Sequence, residues 1–267
     1  MNAPERTFLT DVQSLPDSRD VPIERVGVRR LRHPVVLATS QGPQHTVAEL
    51  ELTVLLAPGV KGTHMSRFIE AVQSWSEPLS PAGLAEHARE MLRRLDASAG
   101  RIDLCFPYFI RKCAPVSGVQ SLLDYQAGVS VRVVEGAPPV VSLSLVAPVT
   151  SLCPCSKEIS EYGAHNQRSH VSVRVELGSA GGDLDFEALA RIAEQAASCE
   201  VYGLLKRPDE KFVTERAYDN PGFVEDLVRD VALALGAHPG VRSYEVEVEN
   251  FESIHNHSAY ARVTGRK

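Results

Sequence analysis

Two rhythms of apolar and polar positions alternate along the chain. Thr46-Val-Ala-Glu-Leu-Glu-Leu-Thr-Val-Leu-Leu56 has a two-residue period, the mark of a half-buried strand. Similar strand-like stretches are read at 23–37, 102–110, 127–135, 140–149, 169–177, 241–251 and 260–263. Between them, apolar residues recur every three to four positions, the period of an amphipathic helix. This predicts helices over 65–73, 81–95, 185–198 and 223–235. Phe186, Leu189, Ile192 and Ala196 fall on one face of the third. Punctuation agrees with these elements. Ser80 before Pro81 forms a helix start, Gly136, Pro138 and Pro139 a turn, Gly178–Gly182 another, and Gly236 a helix C-cap.

The predicted order is strands, two helices, strands, and then the same again. An α+β chain is expected, with a polar, loosely held arm over 1–20 and two halves, 21–135 and 136–267. A weak echo runs between the halves. Val47–Leu56 leads into Lys61-Gly-Thr-His-Met-Ser-Arg-Phe68, and Val140–Val149 leads into Cys153-Pro-Cys-Ser-Lys-Glu158. One duplicated ββααββ unit explains this; chance in an α+β chain of this length explains it equally.

Composition narrows the class. The chain has 267 residues, 43% of them hydrophobic and 23% charged, ordinary values for a globular protein. No apolar run approaches the ~20 residues of a membrane helix, and Met1-Asn-Ala-Pro-Glu-Arg6 has no apolar signal core. Five cysteines, an odd number, do not form a disulfide framework, so a cytoplasmic location is expected. A net charge of −6 argues against nucleic acid as a partner, and no membrane partner is expected. A phosphorylated small ligand stays compatible, since a few local cations suffice to hold one.

The chemistry concentrates in four places. In Ser151-Leu-Cys-Pro-Cys-Ser-Lys-Glu-Ile-Ser-Glu-Tyr-Gly-Ala-His-Asn-Gln-Arg168, two thiols precede His165, a donor combination suited to zinc and similar metals. Cys105, Cys113 and Cys199 are isolated, so a closed four-ligand site is poorly supported and an open, catalytic one fits better. The bland alternative is two small buried thiols and a core histidine; Lys157, Asn166, Gln167 and Arg168 nearby weigh for a pocket. In Glu252-Ser-Ile-His-Asn-His257, an extended backbone would put His255 and His257 on one face, able to bind metal or divide acid–base work. They could equally be an exposed pair on an edge strand. Lys206-Arg-Pro-Asp-Glu-Lys-Phe-Val-Thr-Glu215 reads most simply as a solvated loop, although Glu210 could ligate a metal. Glu225 reads as a first-turn charge. Lys61, Ser66 and Arg67 surround a predicted helix start able to hold phosphate, with capping as the plain role of Ser66. P-loop and dinucleotide fingerprints are absent.

These motifs, together with Leu-Lys-Arg-Pro-Asp-Glu-Lys (205–211), Asn-Pro-Gly-Phe-Val-Glu-Asp (220–226) and Glu-Ser-Ile-His-Asn-His-Ser-Ala (252–259), resemble the GTP cyclohydrolase type IB family, in the family's order from residue 61 to 259. The resemblance implies a tunnelling fold of two ββααββ-type modules, antiparallel sheets with helix pairs on one face, 21–135 and 136–267. The second module would carry most of the active site. It implies a homotetramer with active sites at subunit interfaces, and hydrolysis of GTP to 7,8-dihydroneopterin triphosphate and formate, the entry to folate-type pterins.

By the same resemblance, one divalent ion per chain (Zn, Mn or Fe) would be held by Cys153, His165 and Glu210, with Cys155 lining the site. Glu225 would anchor guanine, and Glu252, His255 and His257 would serve proton transfer and positioning. Lys61, Arg67, Arg111, Lys112 and Arg168 are candidates for the triphosphate. The rival readings are a tunnelling-fold nitrile reductase acting on a deazaguanine through one cysteine, and a non-catalytic nucleotide-binding or metal-stabilised protein.

Overall fold

A computed structural model describes residues 11–13, 15–178 and 184–267. The first half runs β1 (Ile23–Thr39), β2 (Gly42–Leu56), α1 (Met65–Gln73), α2 (Pro81–Leu95), β3 (Ala99–Cys113) and β4 (Gln120–Val134). The second runs β5 (Val140–Leu152), α3 (Pro154–Ile159), β6 (Asn166–Leu177), α4 (Phe186–Ala196), β7 (Cys199–Glu200), α5 (Arg207–Asp219), α6 (Val224–Ala237), β8 (Val241–Asn250) and β9 (Ala259–Arg266). The chain divides into two compact units that interleave in sequence. One comprises 1–45, 49–104 and 131–139; the other comprises 46–48, 105–130 and 140–267. The long strands β3 and β4 contribute residues to both.

In the first unit the strand order is β1-β2-β3-β4. The alternation that predicted β2 is realised as burial of Ala48, Leu50, Leu52, Val54 and Leu56. Helix α2 buries Leu84, Ala85, Ala88, Met91, Leu92 and Leu95, one stripe at three- and four-residue spacing. It starts as expected: the Gly83 N–H donates to the Ser80 hydroxyl at 3.0 Å, and Pro81 occupies the first turn. Helix α1 has His64 as its N-cap, without a side-chain capping bond, so Ser66 lies inside the helix and does not cap it. Residues 1–10 and 14 of the expected arm lie outside the described residues. Residues further along are tied down, with Gln13 Nε2 donating to the Thr63 carbonyl at 2.8 Å and the Asp17 N–H to Gly59 at 2.9 Å.

In the second unit β5, β6, β8 and β9 form an antiparallel run, with β7 on the other side of β5. Val171, Val173 and Val175 of β6 and Val246 and Val248 of β8 are buried, as are Leu227, Val228, Val231 and Leu235 of α6. On α4 the buried face centres on Leu189, Ala190 and Ala193, one step away from the Ile192–Ala196 line read in the sequence. Tyr244 stands opposite Gly265 on the edge strand β9. A Cβ at Gly265 would fall 2.3 Å from the Tyr244 ring, so only glycine lets the ring lie across the strand.

Several expectations are corrected. Residues 207–219 form a helix where a loop was expected. Helix α5 buries only Asp209 and Ala217, so it has no apolar stripe for periodicity to detect. A short helix, α3, follows Cys153 in the Cys-Pro-Cys segment, where the apolar pattern predicts no element. Gly236 lies inside α6; the turn comes at His238, whose Nδ1 accepts from the Gly240 N–H at 3.1 Å. Residues 251–258 are not a strand. The Gly178–Gly182 turn falls mostly on 179–183, outside the described residues. By element order β5 corresponds to β1 and β6 to β2, so the echo noted between β2 and β5 is out of step. Among the described residues no helix is long and apolar enough to cross a membrane.

Candidate active site

The site is built where β5 runs out. The Leu152 N–H donates to Ser198 Oγ at 3.0 Å, and its carbonyl accepts from the Gly222 N–H at 3.1 Å. The end of β5 is thereby fixed beside the start of α6. Cys153 follows, held extended by Pro154, and caps α3: its sulfur accepts from the Ser156 N–H at 3.5 Å. Ser156 does the stitching. Its hydroxyl donates to the Cys153 carbonyl and accepts from the His165 N–H, both at 3.2 Å. The Cys153 N–H donates to the His165 carbonyl, also at 3.2 Å. The chain returns from α3 through Gly163, at φ +121°, a conformation side chains rarely tolerate. Local backbone bonding thus sets the thiol and imidazole residues side by side across the eleven-residue excursion 154–164.

The second histidine cluster arrives from the end of β8. The Phe251 N–H donates to the Arg168 carbonyl at 3.0 Å, and its ring meets His170 edge-on, centroids 4.8 Å apart. The turn that follows brings the half-buried Glu252 carboxylate within 3.8 Å of His165 Nδ1. The expectation that His255 and His257 share a face required a strand; a turn achieves it instead. Their rings stack at 5.0 Å and 11°, and both are exposed.

Glu225 stands exposed in the first turn of α6, three residues past the Gly222 bond to β5. Cys155 is exposed. Lys157 is a tie to α5, donating to the Tyr218 carbonyl with its ammonium 4.2 Å from that ring's centroid. Glu210 is exposed near the start of α5, eight residues from Tyr218, which is about 12 Å along a helix. Among the described residues no three His, Cys, Asp or Glu side chains gather in metal-holding geometry.

The candidate cations separate. Arg111 and Arg168 are exposed on β3 and β6. Lys112 is not available: its ammonium pairs with Glu194 at 2.6 Å, both side chains nearly buried, and Glu194 also accepts from the Tyr125 hydroxyl. Burial pushes the Tyr125 phenol well above its ordinary range, and the charge of Glu194 adds to this. Releasing Lys112 to a phosphate would strand a buried carboxylate. Lys61 and Arg67 belong to the first unit, where Arg67, with His64, Arg89 and Arg93, lines a cavity of about 950 Å³.

Two features escaped the sequence reading. Ser151, Gln167 and Ser169 are buried polar side chains facing inward from paired strands. Their signal was polar residues at inward positions of an alternating strand. Asp209 is fully buried and accepts from Ser117 N–H and Oγ, Val116 N–H and Lys206 N–H. Burial alone would raise its pKa, but the hydrogen bonds from Ser117, Lys206 and Val116 prevail and hold it well below the usual carboxylate range. It pins the turn between β3 and β4 to the start of α5. In the sequence it was indistinguishable from its solvated neighbours.

The architecture matches solved tunnelling-fold enzymes. Uricase from Arthrobacter globiformis superposes with a TM-score of 0.51 at 10% identity, over 91% of this chain and 93% of that one. A highly active mutant of Bacillus sp. TB-90 urate oxidase does so at 0.52 and 9%, over 92% and 100%. At such identities the likeness concerns the fold: antiparallel sheets with helix pairs, as the resemblance implied.

Sequence similarity goes further. The family described as type I GTP cyclohydrolase FolE2 matches residues 9–261. GTP cyclohydrolase FolE2 1 of Dechloromonas aromatica (strain RCB) is 58% identical over 266 residues, 99% of each chain. GTP cyclohydrolase FolE2 of Bordetella petrii is 59% identical over 269 residues, 99% of this chain and 100% of the relative. The chain belongs to the type I GTP cyclohydrolase FolE2 family, which sets aside the nitrile reductase and the non-catalytic readings.

Proposed function

We propose that this protein hydrolyses GTP to 7,8-dihydroneopterin triphosphate and formate, the first step toward folate-type pterins, with one divalent metal (zinc, manganese or iron) per chain. The observation that carries the reading is the Cys153–His165 corner, where hydrogen bonds through the backbone and Ser156 join a cysteine and a histidine, both half-buried. That donor pair fits a divalent ion. Glu210 is the proposed third ligand and Cys155 a neighbour lining the site. A divalent ion held there would supply activation of water near neutral pH, the chemistry that hydrolysis at C8 of the guanine requires.

The chain's own residues perform the rest. The Glu225 carboxylate accepts from two N–H groups on the guanine edge, a bidentate contact that selects the base. His255 and His257, exposed and stacked on one another, pass protons to the imidazole-ring nitrogens as the ring opens. Glu252, beside His165, positions that exchange. Arg111 and Arg168 hold the triphosphate, Lys61 and Arg67 being the alternative candidates; Lys112 is omitted because it is spent on Glu194.

Two elements of the proposal concern organisation. The halves 21–135 and 136–267 are two modules, supported by the repeated order of strand pair, helix pair, strand pair. Four chains assemble as a tetramer, which would cover the exposed edges of β1 and β9.

The test is incubation with GTP and detection of the fluorescent, oxidised pterin, with and without chelator. Formation that stops on chelation and returns with added metal supports the reading. Chelator-resistant turnover would overturn the metal's role, and no turnover in any metal would overturn the activity.

A further inference from the structure

His165 offers a ligand only through whichever ring nitrogen has no proton, and the structure contains a device that decides which one. Its Nδ1 lies 2.8 Å from Gln167 Oε1, and the Glu252 carboxylate lies 3.8 Å from the same nitrogen. Both neighbours are acceptors, so Nδ1 is the nitrogen that must donate. The Gln167 amide has its own anchor. Its Nε2 donates to Ser151 Oγ at 3.1 Å, and Ser151 Oγ lies 2.6 Å from Ser169 Oγ. Gln167 is 7% exposed, Ser151 2% and Ser169 0%. The arrangement follows from the sheet: Ser151 pairs with Gln167 across β5 and β6, and Gln167 and Ser169 alternate onto one face of β6.

We infer that Gln167 is a positioning residue for His165: anchored through Ser151, it locks the imidazole in the Nδ1–H tautomer and leaves the Nε2 lone pair for the metal. The inference rests on the reading of His165 as a ligand. A histidine ligand's second nitrogen needs such a partner, because otherwise the ring populates both tautomers and rotates. An amide suits this position better than a carboxylate. It fixes the tautomer without placing a second charge among buried serine hydroxyls, where an ion is costly. Glu252, further away and on an open turn, supports the same tautomer without being able to orient the ring alone.

Metal-free protein provides the first test, through long-range nitrogen–proton NMR of the imidazoles above the histidine titration range. In the wild type, His165 should show a protonated Nδ1 and an unprotonated Nε2. An Nε2–H tautomer would overturn the inference, whatever any variant does. In Gln167→Met both tautomers should appear, and Zn²⁺ affinity, read by competition with a chromophoric chelator, should fall about 10- to 100-fold. In Gln167→Glu an acceptor is restored, so the tautomer and most of the affinity should return. A merely structural role would not produce that rescue. If Gln167→Met keeps both the tautomer and the affinity of the wild type, Gln167 does not position His165. If His165→Ala leaves Zn²⁺ affinity intact while the wild type shows the Nδ1–H tautomer, the ligand assignment fails and the tautomer lock stands.

Discussion

The Cys153–His165 corner and the 251–258 turn both carry candidate chemistry, yet they are held very differently. At the corner, two hydrogen bonds join Cys153 and Ser156 to His165 just before β6, and two more, from the Ser156 hydroxyl to the Cys153 carbonyl and from the Ser156 N–H to the Cys153 sulfur, close the turn itself. The turn is fastened at its base by Phe251, and within it the His255 N–H donates to the Glu252 carbonyl at 3.3 Å. His255 and His257 then reach into solvent, held by their mutual stacking. The difference matches two tasks. Metal ligands act through geometry, and their supporting bonds must be made before the ion arrives. Proton-transfer groups must meet a substrate whose bonding changes during the reaction, and an adaptable turn serves them.

The most severe way to break this comparison is Cys153→Ala. The corner's backbone bonds survive the change, so the fold should persist while bound metal and turnover are lost, with activity down at least ~10³-fold. Metal content by elemental analysis, circular dichroism and the pterin assay check this together. A folded, metal-free variant that still turns over GTP would show that the corner is only a well-made turn. Next in size are His255→Asn and His257→Asn. Each should lower kcat about 10²- to 10⁴-fold, the usual contribution of a general acid or base, while metal content stays at one ion per chain. Loss of metal from either variant would move that histidine from the adaptable side of the comparison to the anchored side.

The corner's composition was legible in the sequence, and its rigidity was not. Cys153, Cys155 and His165 stand out because thiols and imidazole within thirteen residues are chemically conspicuous. The bonds that hold them run through Ser156 and Gln167, residue types too common to carry a signal. The strands and the helices α1, α2 and α6 were readable because each buries a face, and burial imposes a period. Helix α5 was not, because a charged helix that buries only Asp209 and Ala217 leaves no period to find. Arg111 and Lys112 were equal candidates for the triphosphate under the resemblance. Only the fold shows that strand alternation leaves Arg111 exposed and directs Lys112 to Glu194.

Glu225 sharpens the comparison at an intermediate scale, because it belongs to neither segment. It stands exposed on a helix start that is tied to the corner's strand through Gly222. Glu225→Gln retains one acceptor and loses the charge. The expected cost is about 1.5–3 kcal/mol, roughly 10- to 150-fold in KM for GTP, the range of a charged hydrogen bond. Metal content and Tm should not move. An unchanged KM would return Glu225 to the role of a first-turn charge complementing the helix dipole.

The smallest expected effect separates stability from chemistry, and it uses a histidine outside both segments. His87, on α2 in the first unit, is half-buried and stacks on Trp75 with centroids 5.2 Å apart and an interplanar angle of 26°. Burial lowers its pKa from the ordinary histidine value, because the cation is poorly solvated there. The unfolded chain then binds a proton that the folded chain does not, starting from about pH 6.5 downward. The stability contributed by neutral His87 is therefore full above about pH 6.5 and is lost progressively as pH falls below it. His170 acts in the same direction, since its desolvation outweighs the attraction of Glu249. Tm measured from about pH 7.5 down to about pH 5 should decline, and His87→Gln should flatten part of that decline while leaving kcat and KM for GTP unchanged. If the slope in the variant equals that of the wild type, His87 does not set it. If activity falls along with the slope, the first unit's helix layer bears on the site, and the two segments alone do not account for its chemistry.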